Sequence, residues 1–430
     1  MNMSASGRPM SGQHTSALVI RAGPRALAAI RERGLCAADV AIVPGAAGGP
    51  KALGLHGLDV ALFGDWLPKA PRVRHLVGAS IGAWRFAAAC RSDPVEGLRE
   101  LARLYAGQRY PPRPAAALVT RQVREMLHEL FDGREDAILA SPGYRLHILA
   151  VRGRGILSRD AAVRRTLGFG AAAFANLAGR RHLRHFLERT VFHDAREWPP
   201  FLAASDLLPA SGEAPIRFDA FRTHAVALER SNLREALVAS AAIPMVIEAV
   251  PDIPSAPAGV YWDGGLIDYH LHLPYSRSEG LVLYPHFTDR IVPGWLDKAL
   301  PWRRARGEWL DNVILVSPSR EYLAGLPFGK LPDRNDFRRF ESDYEGRVAY
   351  WRKAVAESAR LGDEFLAFAE RTDCARVLPL RGASAAAPRA RRSTATSPAR
   401  RRRGRRRARG RAARAPGIPR AGATAPRRVA

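Results

Sequence analysis

Cysteine is scarce in this chain: Cys36, Cys90 and Cys374 are the only three in 430 residues. They are too few and too scattered for a disulfide framework or a thiolate zinc site, and a reducing compartment is the expected setting. No apolar run reaches the roughly 18 residues that a membrane span needs. The longest approach to one, Thr166–Gly179, is short and rich in Ala and Gly. The first residues, MNMSASGRPMSGQHTSALVIRAG, lack a basic start followed by a long apolar stretch, so no secretory signal is expected. Acid is also missing from one whole region: residues 381–430 hold 17 arginines and no Asp or Glu, which leaves +9 of the net +26 for the first 380 residues. That region has no aromatic residue either, so base stacking is excluded there.

What is present reads as an ordinary globular body with a basic tail. Apolar residues make up 47% and charged residues 25%. Residues 1–16 are polar and expected to be disordered, residues 17–380 to fold, and residues 381–430 to stay disordered, because nothing in them can build a core. The tail could hold anionic membrane or nucleic acid without selectivity, by counterion release. The expected location is the cytoplasm, with peripheral membrane contact.

Two strand–loop–helix units stand near the start of the body. Val40–Pro44 runs into the Gly-rich stretch GAAGGPKALG (Gly45–Gly54) and a helix through Phe63. Val73–Val77 runs into Gly78-Ala79-Ser80-Ile81-Gly82 and a helix of small apolar residues. Such repeated units imply a layered α/β fold with a largely parallel sheet. Further helices are expected at Leu98–Tyr105, Val119–Phe131, within 168–189, at Asn232–Ala242 and over Tyr344–Phe368. Further strands are expected at Tyr144–Val151, Gly259–Gly265 and Val313–Val316.

Ser80 lies where a strand meets a helix, as a nucleophile elbow requires. Gly78 and Gly82 let the backbone turn sharply, and the helix after Ser80 points its N-terminal N–H groups at the hydroxyl. The Gly-rich loop can converge backbone N–H groups on an oxyanion, or on a phosphate. The P-loop Lys-Ser/Thr pair is absent, which weighs against a nucleotide. Asp263, in YWDGGLID, ends a strand before Gly264 and Gly265; this is either a base for Ser80 or a hairpin turn.

Gly-rich loop, G-x-S-x-G and Asp-Gly-Gly in this order, with ASAAIPMVIEAV (Ala239–Val250) before the last, resemble the patatin-like phospholipase family over about Val40 to Asp268. The resemblance implies a three-layer α/β/α fold and a Ser80–Asp263 dyad without histidine, hydrolysing acyl esters of lipids through an acyl-enzyme, with no cofactor or metal. It implies an oxyanion loop at Gly48 and Gly49, with Ile81 following the nucleophile and Lys51 at the family's basic position. This chain departs from the family pattern by having Ala47 before these glycines and Pro50 after them. Proline offers no N–H, so the donors fall to Gly48, Gly49 and Ile81. A direct Asp base needs a dry site, so Asp263 is expected in an apolar cleft near Trp262 or Tyr261.

Two other readings stand beside this one. A Ser-His-Asp hydrolase would draw on His224, His270, His272 or His286. A non-catalytic lipid- or nucleic-acid-binding protein would use the basic tail. The pairs His182/His185 and His270/His272 lack acidic or thiol companions at ligand spacing, so they are not expected to hold metal. Trp295, Trp302 and Trp309 recur every seventh residue across Pro301. They read either as core or, with Lys298, Arg303, Arg304 and Arg306, as an anionic-lipid interface.

Overall fold

The computed structural model describes residues 16–203, 218–303 and 305–380. The expected disorder of the N-terminus and of the arginine tail, and the side chain of Arg304, fall outside these residues. Eleven strands form one sheet among the described residues: β1 (Leu18–Ala22), β2 (Val40–Gly45), β3 (Arg74–Ala79), β4 (Tyr144–Gly153), β5 (Leu187–Asp194), β6 (Thr223–Leu228), β7 (Val250–Pro251), β8 (Val260–Asp263), β9 (Leu281–Pro285), β10 (Val313–Pro318) and β11 (Val377–Pro379). The main order is β11-β1-β10-β9-β2-β3-β4-β5-β6, and the β7–β8 hairpin joins β4 as a branch. The five strands from β10 to β4 are mutually parallel, while β1 and β5 run against their neighbours β10 and β4.

The central strands show why this sheet is sandwiched. Every residue of β2, β3, β9 and β10 is buried, so both faces of the sheet are covered and the α/β/α layering follows. Chain order reverses between β9 and β2, and the loops beyond β2 and β3 emerge side by side at the carboxyl ends of the parallel strands. That is where open α/β sheets place their ligands. A buried ion pair links the two units: Arg85, on the helix Ile81–Ala89, donates to Asp59 on the helix His56–Ala61 at 2.7 and 2.5 Å. A pair so enclosed adds little net stability but fixes the register of the two helices, since either charge alone would be buried unpaired.

Two stretches differ from the periodicity-based expectation. The stretch 168–189 is not one helix. The helix Ala162–Ala178 ends before a 3-10 turn at Arg180–His185, and the chain then enters β5. Arg189, the last basic residue of that stretch, is therefore wholly buried rather than on a surface helix. Its guanidinium lies between Asp268 (2.6 and 2.9 Å) and Asp219 (2.7 Å). The expected terminal helix divides into Tyr344–Glu357 and Ala359–Glu370. Between them the Ser358 hydroxyl donates to the Val355 carbonyl at 2.6 Å and accepts from the Gly57 amide at 2.8 Å, and such side-chain bonds compete with the helical ladder.

Candidate active site

Ser80 sits between β3 and the helix Ile81–Ala89 with φ 56° and ψ −131°, a region that L-residues rarely adopt. Holding it there costs on the order of 1–3 kcal/mol, and the surroundings compensate. The Ser80 amide donates to Ser240 Oγ at 2.8 Å, and the Ser240 hydroxyl donates to the Leu149 carbonyl at 2.6 Å. Gly82 makes the turn sterically feasible: a Cβ there would lie 1.9 Å from the Gly45 carbonyl oxygen at the end of β2. The other elbow glycine, Gly78, is the fifth residue of β3.

The Ser80 hydroxyl donates to Asp263 Oδ2 at 2.8 Å, across 183 residues of sequence. Asp263 ends β8, where it pairs with Ala150 of β4, so the sheet itself carries the carboxylate to the elbow. Gly264 and Gly265 begin the 3-10 turn that follows, and the Gly265 amide donates to Asp263 Oδ1 at 2.7 Å. Ser80 and Asp263 are both almost fully buried. Burial pushes the Asp263 carboxyl up to about 6, against the Arg334 charge, the Gly265 N–H and the Ser80 hydroxyl, which all favour its charged form. The recess at Asp263 is lined by Ala47, Ile243, Leu266, Tyr269, Trp295 and Arg334. Neither Tyr261 nor Trp262 lines it. Side chains alternate along a strand, so Trp262 points away from Asp263 and packs edge-on against Phe169.

Gly48 has φ −166° and ψ −8°, and Gly49, which starts the 3-10 helix Gly49–Leu55, has φ +57°, a left-handed value that suits glycine. The Ala47 amide donates to the Tyr269 carbonyl at 3.0 Å. The amides of Gly48, Gly49 and Ile81 have no protein acceptor among the described residues. Lys51 sits with Nζ 4.7 Å over the ring of Phe287, and burial, aided by Lys298 and Arg334, lowers its ammonium to about 8.

A cavity of about 390 Å³ opens on Ser80. Its walls include Ile81, Trp84, Val119, Val123, Ile243 and Ile247, and its exposed margin carries Arg113, Arg338 and Glu341. Arg334 reaches both this cavity and the Asp263 recess. A Cβ on Gly49 would lie 3.4 Å from Arg334 Nε, so the guanidinium also touches the Gly-rich loop. Sequence reasoning missed Arg334 and Ser240, and it set Lys298 at a lipid interface without linking it to the Gly-rich loop. Ser240 lay inside the quoted ASAAIP segment, whereas nothing in the spacing of LPDRNDF singles out Arg334.

The histidines do not reach the dyad: no described histidine hydrogen-bonds to Ser80 or Asp263. His224 contacts Glu188 at 2.9 Å, His286 contacts the Thr288 carbonyl at 2.8 Å, and His270 and His272 accept backbone N–H groups from Val292 and Arg306. Among the described residues no histidine completes a Ser-His-Asp triad with Ser80. His182 and His185 stack with ring centroids 6.4 Å apart. The tryptophan series separates: Trp309 packs on His272 and Phe218, whereas Trp302 is 65% exposed and Trp295 is 37% exposed.

Burying a carboxylate has a thermodynamic signature. With a folded pKa raised above the unfolded value, stability is greatest at low pH and falls as pH rises through about 6. The loss amounts to about 3 kcal/mol. Asp263→Asn is therefore expected to gain on the parent protein by about that amount between about pH 4 and about pH 8. Urea unfolding at the two pH values measures it, and a gap independent of pH would contradict the assignment.

Residues 47–270 match the family model described as patatin-like phospholipase. No curated protein matches the chain. Among solved structures, human GIVD cytosolic phospholipase A2 is similar at 13% identity and a TM-score of 0.35, over 84% of this chain. The chain spans 63% of that protein, less than two thirds of it. The family match covers just over half of the 430 residues, and the chain belongs to the patatin-like phospholipase family.

Proposed function

We propose that the protein is a serine acyl hydrolase that cleaves ester bonds of lipids through a Ser80–Asp263 dyad, within a hydrolase domain spanning residues 17–380. The observation that carries this reading is the 2.8 Å hydrogen bond between a strained elbow serine and a dry carboxylate, opening on a cavity with mostly apolar walls. In the proposed reaction, Ser80 Oγ attacks the acyl carbonyl carbon as its proton passes to Asp263. The N–H groups of Gly48, Gly49 and Ile81 would receive the oxyanion. Collapse expels the alkoxide, which takes the proton from Asp263 and leaves as the alcohol. Water then attacks the acyl-Ser80 ester, giving its proton to Asp263, and the fatty acid departs as Ser80 is reprotonated. A carboxylate near pKa 6 is a stronger base than one near 4 and is still ionised at neutral pH.

The charge around the dyad favours a substrate with an anionic headgroup over a neutral glyceride. Lys51, Lys298 and Arg334 cluster beside the Gly-rich loop and Asp263: Lys51 feels Lys298 and Arg334, and Lys298 feels Arg334, with Asp333 opposing them in part. None has an ion-pair or hydrogen-bond partner among the described residues; Lys51 and Lys298 rest on the rings of Phe287 and Tyr269 instead. Mutual repulsion of this kind is relieved by a phosphate, and a guanidinium is suited to bidentate phosphate binding.

Ser80→Ala and Asp263→Asn are each expected to lower kcat/KM on p-nitrophenyl acyl esters by at least about a thousandfold. Ser80→Ala should also abolish fluorophosphonate labelling. Turnover that survives both substitutions would overturn the dyad. For the parent protein, kcat/KM should rise with pH through about 6, where Asp263 loses its proton. Arg334→Ala should move that midpoint upward, because Arg334 favours the carboxylate. It should also raise KM for a phospholipid at least about tenfold while changing KM for a neutral p-nitrophenyl ester little. An unmoved midpoint and equal effects on both substrates would remove Arg334 from the site.

A further inference from the structure

The helix Ala162–Ala178 carries apolar side chains on the wrong side. Gly168, Phe169, Ala172 and Asn176 form its buried face. On the opposite face Val163, Leu167, Phe174 and Leu177 fall into one narrow stripe at the helical period, and they are 71%, 60%, 77% and 58% exposed. Between them the stripe holds only Gly170, Ala171 and Ala178, where a surface helix ordinarily turns charge to water. Four large apolar side chains in a row on an outward helix face mark an interaction surface.

A second exposed apolar feature, Trp295 and Trp302, lies on a segment tied to the same helix through Asn176. Arg303 donates to the Asn176 carbonyl at 2.8 Å, and Asn176 Nδ2 donates to Asp297 Oδ1 at 2.9 Å, so the segment bearing Trp295 and Trp302 is fastened to the helix. The surface also adjoins the entrance to the site. Asp160, just ahead of the helix, accepts the Ala249 amide at 3.0 Å and ties the helix to the segment that carries exposed Met245 and Val246 beside the cavity. Trp295 itself lines the Asp263 recess.

Charge selects the occupant. From Ala161 to Leu187 the sequence has five arginines and no acid. Arg164, Arg181 and Arg184 are exposed beside the stripe. A two-fold contact through this face would gather the arginines of both copies at one interface, with no acid from this segment to offset them. An anionic bilayer takes apolar side chains and tryptophan at its interface and binds arginine at its headgroups. We propose that the outward face of Ala162–Ala178, with Trp295 and Trp302, docks the protein on anionic membrane and sets the cavity entrance against the lipid. This goes beyond the hydrolase reading and is measured without turnover.

The test is sedimentation with mixed phosphatidylcholine–phosphatidylglycerol vesicles, using the full chain carrying Ser80→Ala so that the lipid stays intact. The 17 arginines after residue 380 would bind the same vesicles by charge alone. Binding is therefore read at about 0.5 M salt, where screening acts within a few ångströms. Adding Leu167→Ser and Phe174→Ser is expected to lower salt-resistant binding at least about tenfold. The melting temperature should hold, since both positions are exposed. In the chain that retains Ser80, the same pair should leave hydrolysis of a short soluble p-nitrophenyl ester unchanged. Unchanged vesicle binding would overturn the proposal, as would parent binding that vanishes in salt. Unchanged binding with a shift from dimer to monomer would assign the face to a second copy. Unchanged binding with a lowered melting temperature would assign it to a segment of this chain.

Discussion

The hydrogen bond between Ser80 and Asp263 is the constraint on which the rest of the arrangement depends. It joins the end of β3 to the end of β8, and β4 stands between them, paired to both. The contact needs three backbones in register, an elbow serine held at positive φ by the Ser240 hydroxyl, and a turn after Asp263 that satisfies the second carboxylate oxygen. Below that turn Arg189 holds Asp268 in a buried ion pair. Each support is a local solution, but they converge on one 2.8 Å contact.

Stability and basicity are opposed at this point. Moving a carboxylate into a dry recess is unfavourable, and the cost appears as a proton held up to about pH 6. In the proposed reaction the same shift gives Asp263 the basicity to accept the Ser80 proton without an imidazole between them. Arg334 limits the shift, so the group remains ionised at neutral pH. Arg334 then has a double effect in this account: it tunes the base and, with Lys51 and Lys298, attracts an anionic headgroup. Burial, offset by the charge of Arg334, sets the proton affinity of Asp263.

Much of this was legible in the sequence because it is local. Short apolar strands followed by glycine announced β2 and β3, and the elbow, the Gly-rich loop and the Asp-Gly-Gly turn are contiguous signals. What failed to show is long-range or shared between signals. β5 and β6 read poorly: β5 hides behind the helical, basic stretch before it, and Arg189 is neutralised by acids 30 and 79 residues away. The tryptophans at sevenfold spacing looked like one series, yet tertiary contacts half-bury Trp309 and leave Trp302 outside. Arg334 has no local signature at all; only the folded chain brings it from the C-terminal third of the body to Gly49 and Asp263.

The central claim is that Ser80 becomes acylated, with Asp263 handling its proton. Acid quench of the protein during turnover of a p-nitrophenyl acyl ester, followed by peptide mass mapping, tests it most directly. The account predicts an early burst of p-nitrophenol and an acyl mass increment confined to the peptide that contains Ser80. Sustained turnover with Ser80 unmodified throughout, or an increment on another residue, would contradict it.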